Sequence, residues 1–209
     1  MSKASKSNEP EDLAFARSFA AEGPRSQAAA GLVFFWAGLL YGLQTLTYGV
    51  VEVGQFTLSA AQGWALALAP TLPFLTVVGY VGWRDRKAKK GVVTRTLNAS
   101  YTSAGLINLI IALVFGWLAT TRQSMVIWLL YPIVICAMQG AVWYAACAIR
   151  RKLWLGAVSA GWFVTTVALT LLITNVTGYL LVLGAALLGL MAVPGFVMMR
   201  LAAREQGRE

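Results

Sequence analysis

The sequence predicts an all-α fold, a polytopic membrane bundle of about six transmembrane helices with both termini on the cytoplasmic side. Three observations predict it. The composition is 58% hydrophobic and only 12% charged over 209 residues, far from the balance of a soluble domain. Six apolar runs are each long enough to cross roughly 30 Å of hydrocarbon as a helix. The charges, finally, are gathered into short islands between those runs.

The six runs are Ala28 to Val51, Gly63 to Trp83, Tyr101 to Ala119, Met125 to Ile149, Leu153 to Thr174 and Tyr179 to Met199. They divide the chain into an N-terminal tail (1–27), a transmembrane domain (28–199) and a C-terminal tail (200–209). The tail before the first run holds Glu9, Glu11, Asp12 and Glu22 and no apolar core, so it does not read as a cleavable signal peptide; the first run is expected to stay as an anchor. Within that tail, Pro10 to Ala21 places Leu13, Ala16 and Ala20 on one helical face beside Phe15 and Phe19, with acids in the first turn. The expectation is a short amphipathic helix on the membrane surface, ended by Gly23-Pro24, against the plainer alternative of a disordered tail.

Orientation follows from the basic residues. Six lie between Arg84 and Arg95, three at Arg150–Lys152, four in the N-terminal tail and three in the C-terminal tail, which puts sixteen of the 17 on one side and leaves Arg122 on the other. The positive-inside rule makes the rich side cytoplasmic, so the number of spans is even. Short loops, no targeting tag and this bias point to a bacterial inner membrane. The net charge of +9 is thereby read as topology and not as nucleic-acid binding, for which no folded basic surface with stacking aromatics is present.

Short connections predict that successive helices pack as antiparallel neighbours, with a tight final hairpin around Asn175–Gly178. Prolines recur in the second, fourth and sixth spans, at Pro70 and Pro73, Pro132 and Pro194. Small residues four apart, at Gly38/Gly42, Gly156/Ala160, Ala157/Gly161 and Ala185/Gly189, permit close helix approach within one chain or between copies. Trp64, Trp83, Trp117, Trp128 and Trp154 fall near helix ends as interfacial anchors, whereas Trp36, Trp143 and Trp162 fall deeper and are expected to face the bundle.

Chemistry is narrowly bounded. There is no histidine, which removes the commonest general base and metal ligand, and Cys136 and Cys147 sit eleven residues apart in one helix, too far for a disulfide. No paired carboxylates, activated nucleophile or ligand cluster can be assembled in the bundle, so no enzyme, metal site or cofactor is expected. The most informative pattern is a polar stripe on the first span, Tyr41, Gln44, Thr45, Tyr48 and Glu52, at helical spacings. Further polar faces carry Asn108 on the third span, Cys136, Gln139, Trp143 and Cys147 on the fourth, and Ser159, Trp162, Thr166 and Thr170 on the fifth.

Two interpretations of these faces compete. Gln and Thr can hydrogen-bond between helices as glue; alternatively, Tyr41, Gln44, Tyr48, Asn108, Gln139, Trp143 and Thr166 line a cavity for a small molecule. Glu52 and Arg122 are a candidate ion pair on the outer side, with proton coupling by Glu52 as the sharper alternative. Arg84, Arg86, Lys87, Lys89 and Lys90 are candidates to contact anionic lipid headgroups or a partner protein. The function expected is a non-catalytic membrane subunit, sensor or scaffold that lies in the bilayer and binds a membrane protein partner, a second copy or anionic lipid. The competing class is a transporter or binding protein for a small apolar, neutral or cationic molecule.

Overall fold

A computed structural model describes residues 9–84 and 92–207 of the chain. The described residues form helices α1 (Glu9–Val53), α2 (Ala60–Leu68), α3 (Thr71–Arg84), α4 (Val92–Arg122), α5 (Met125–Arg150), α6 (Leu153–Leu171), α7 (Val176–Leu187) and α8 (Val193–Gln206), with a π-helical segment at Leu188–Ala192 joining the last two. Six stretches are long and apolar enough to span a membrane: 27–53, 60–84, 102–122, 125–150, 153–171 and 176–205. They coincide with the six runs of the sequence to within a few residues at most ends. The largest departure is at the end of the sixth span, which runs on to Glu205.

The first helix departs from expectation. Its backbone is helical from Glu9 and passes through Gly23-Pro24 without a break. A proline removes one helical donor and strains the turn before it, at about 3 kcal/mol, which bends a helix more readily than it ends a long one. The side chains of Pro10 to Ala21, and with them the amphipathic face, lie outside the described residues.

Turn chemistry is local and readable. Ser59 and Gln62 form a reciprocal capping box at the start of α2. Asn175 accepts from the Gly178 N–H at 3.0 Å and so starts α7 at Val176, placing the last turn three residues earlier than the sequence suggests, at the same length. Gln55, Gln123 and Arg151 end α1, α4 and α5 with positive φ of 50°, 49° and 52°, the left-handed conformation that reverses a chain in few residues.

Packing is not simply sequential. The most extensive interface joins the first span to the last, α1 against α7, the π segment and α8, while α5 packs on α6 and α4 on α5. The core accordingly lies among spans 1, 4, 5 and 6, where Phe34, Cys136, Trp143, Leu155, Trp162, Leu169, Tyr179, Leu183 and Met198 are buried. The first-to-last seam is made by glycine. A side chain on Gly31 would meet the Gly195 carbonyl at 2.7 Å, and Gly42 and Gly184 face each other's carbonyls at 3.4 and 3.3 Å. Gly38 abuts the backbone of Leu187 and Ala192, so the Gly38/Gly42 pair does admit a close partner. Its partner is the sixth span. In the other pairs Gly156 meets Cys147 and Gly161 meets Leu190, while Ala157 and Ala160 are exposed and Gly189 faces open space.

Spans 2 and 3 sit at the edge. α3 leans on α1 and α4 on α5, yet α3 and α4 scarcely touch among the described residues. In the most apolar stretch of the third span no residue is buried.

The seam yields a direct test. Gly38→Val or Gly195→Val is expected to destabilise the purified protein by about 1–3 kcal/mol through overpacking, whereas Gly189→Val stays within about 0.5 kcal/mol of the parent. Unfolding in mixed micelles measures both.

Candidate functional site

Backbone geometry positions the polar side chains. Pro70 lacks an N–H, so the Leu66 carbonyl four residues earlier has no helical partner, and the second span breaks there into α2 and α3. The Gln44 side chain of α1 supplies what is missing. Its Nε2 donates to the Leu66 carbonyl at 2.9 Å and to the Ala67 carbonyl at 3.3 Å. Pro70 itself is buried, and Tyr41 packs edge-on against Phe74 beside the break, with ring centroids 5.6 Å apart. Tyr48 lies one turn further along α1 on the same side as Gln44.

The fourth span differs, because the carbonyl freed by its proline is that of Trp128 and the bond from outside falls one residue later. Pro132 weakens the helical bonding of the turn before it, and the buried Tyr179 hydroxyl donates to the Leu129 carbonyl at 2.6 Å. There α5 stays a single helix. In the sixth span Pro194 follows the π segment Leu188–Ala192, a wider turn that accommodates the missing donor within the chain itself. Prolines in three spans thus have three local outcomes.

Asn108 is also engaged between helices, its Oδ1 accepting from the Tyr131 hydroxyl at 2.9 Å, and Tyr131 stacks on Trp128. The threonines behave otherwise than expected. Thr45 donates to the Tyr41 carbonyl, Thr166 to Trp162 and Thr170 to Thr166, all within their own helices. A β-branched hydroxyl reaches the carbonyl one turn back without leaving its helix, so these groups do not bridge spans. Ser159 does, donating to the Gly140 carbonyl at 2.7 Å.

Trp143 and Trp162 are buried as expected, and Trp36 is half-buried against Phe35. Trp154 is more than an anchor, for its ring lies 6.4 Å from Trp143 at the edge of the core. Trp64, Trp83 and Trp117 are exposed.

The candidate residues have different partners. Gln44 and Tyr41 join the first span to the second, and Asn108 joins the third to the fourth. Trp143 packs against Phe34 of the first span and Trp154 of the fifth, and Thr166 bonds within its own helix. Glu52 and Arg122 are both exposed and form no ion pair, because α1 and α4 meet only marginally. Of the basic segment, Arg84 is described, its guanidinium over the Tyr80 ring at 5.7 Å; Arg86, Lys87, Lys89 and Lys90 lie outside the described residues.

One cluster escaped sequence reasoning. Gln27, only 4% exposed, accepts from Arg150 Nη1 at 2.7 Å and donates to the Met198 carbonyl at 3.4 Å, clasping spans 1, 4 and 6 at one end of the bundle. Its position at the edge of the tail disguised it. Arg150 read only as a topology residue.

The proline compensation predicts a coupling. Gln44→Leu is expected to cost about 1–2 kcal/mol in the parent and clearly less beside Pro70→Ala, which restores the N–H facing Leu66; a double-mutant cycle on micellar unfolding measures the difference.

The chain matches no family model, no curated protein and no solved structure, so its role has to be argued from its own side chains.

Proposed function

We propose that this protein is a non-catalytic membrane subunit or scaffold that holds a partner membrane protein against its second and third spans. The observation that carries the reading is the openness of those spans. Leu72 and Leu75 on α3 and Leu106, Leu109 and Leu113 on α4 are all more than half exposed, and Gly63, Gly79, Gly82 and Gly105 have nothing within reach of a side chain. Small residues on an open face let another backbone approach closely, where dispersion between helices replaces contacts with lipid. The polar stripe of α1 supports the same reading, because Gln44 is engaged in joining helices and is not held free for a substrate.

In this reading both termini are cytoplasmic in a bacterial inner membrane, with the basic 84–95 segment on the partner's cytoplasmic side beside anionic headgroups. The competing reading, a carrier or binding protein for a small apolar, neutral or cationic molecule, draws on the interruption of the second span at Pro70, since broken spans recur at transporter binding sites. It requires Gln44, Gln139 and Trp143 to matter more than the faces of α3 and α4.

Photo-crosslinkers placed singly at Leu72, Leu75, Leu109 and Leu113 in native membranes test the proposal, with the equally exposed Val164 and Val167 on α6 as controls. A discrete protein adduct is expected from α3 and α4 and not from α6. Lipid adducts alone at every position would reject it, and an adduct of twice the chain mass would identify the partner as a second copy.

A further inference from the structure

The deepest part of the core contains three polar atoms with no hydrogen-bond partner among the described residues: Trp143 Nε1, Trp162 Nε1 and Gln139 Oε1. Trp143 is 0% exposed and Trp162 1%. Gln139 and Trp143 lie one turn apart on one face of α5. The antiparallel register of α5 and α6 is fixed by two glycines: a side chain on Gly140 would meet the Phe163 ring, and one on Gly156 would meet Cys147 Sγ at 3.3 Å. These pairings place Trp162 level with Ala141 and the Ser159 bond to the Gly140 carbonyl places it level with Ala137, so it lies within about a turn of Gln139. Two donors and one acceptor thus fall within a turn or two of one another, beside the Ser159 bond to Gly140.

Leaving such groups unbonded is costly, because hydrocarbon offers no substitute partner. The remaining polar groups on the α5–α6 contact are engaged: Ser159 with Gly140, Thr165 with Gly161 and Thr166 with Trp162. The chemistry that fits two N–H donors and one carbonyl acceptor is a hydroxyl oxygen, which accepts twice and donates at least once. We propose that Gln139, Trp143 and Trp162 form a binding site for a single hydroxyl-bearing guest in the membrane core. The two indoles donate to its oxygen and its hydrogen bonds Gln139 Oε1. A water molecule and the hydroxyl of an alcohol or lipid share this chemistry.

The site is independent of the faces of α3 and α4, so it stands or falls separately from partner binding. Ultraviolet resonance Raman difference spectra of the purified protein, parent against Trp143→Phe and parent against Trp162→Phe, report whether each indole N–H is hydrogen-bonded. Both are expected to be bonded, and both signals are expected to be lost in Gln139→Leu, which removes the acceptor that holds the guest. Gln139→Met provides a second, unbranched apolar variant should the first not fold.

Unbonded indoles in the parent would overturn the proposal. So would one bonded indole alone, the mark of a direct Gln139–indole pair, or two bonded indoles that ignore Gln139→Leu and Gln139→Met. Given the expected spectra, native mass spectrometry distinguishes the sources: a retained mass lost in Gln139→Leu identifies an alcohol or lipid, and no retained mass identifies water.

Discussion

In a hydrocarbon surround, every backbone donor and acceptor has to find a partner inside the protein, and this constraint organises the bundle. The chain places prolines inside three of its six spans and so removes helical donors where no water can replace them. At Pro70 the loss is met by the Gln44 amide from the first span, and beside Pro132 the Tyr179 hydroxyl bonds the Leu129 carbonyl from the sixth. Each bond also joins two helices. A defect in one helix thereby becomes a directional bond to another, which apolar packing alone does not supply.

Glycine solves the complementary problem of attraction. Lipid tails solvate leucine as well as another helix does, so tight association relies on close approach and dispersion. Spans 1 and 6 achieve it through Gly31 against Gly195 and Gly42 against Gly184. On spans 2 and 3, Gly63, Gly79, Gly82 and Gly105 have no neighbour within 4 Å. Most of the glycines that meet another helix lie in the core, and most of the open ones at its edge.

The existence, number and approximate limits of the six spans were legible in the sequence because length and apolarity are one-dimensional properties. The burial of Trp143 and Trp162 was legible too, since an indole at mid-depth needs shelter from lipid. Pairing between distant helices was not. Gln44 belongs visibly to a polar stripe, but nothing local names Leu66 as its acceptor, and the link becomes readable only when Pro70 is seen to free that carbonyl. Threonines on the same stripe look equivalent to glutamine in a helical projection, yet their short side chains fold back on their own helix. Gln27 was hidden because it sits where the charged tail meets the first apolar run, and its partners Arg150 and Met198 are 123 and 171 residues away.

The seam between the first and last spans has a consequence for the order of events at synthesis. Gly31 emerges 164 residues before Gly195, an interval on the order of 10 to 30 s at ordinary translation speeds, so the glycine face of α1 resides in the bilayer without its mate while four further spans are inserted. Until the final hairpin arrives, that face is open to any helix able to approach as closely. Assembly of this bundle is therefore a ring closure completed by the last segment made, and a chain cut short before α7 would retain an adhesive first helix in the membrane.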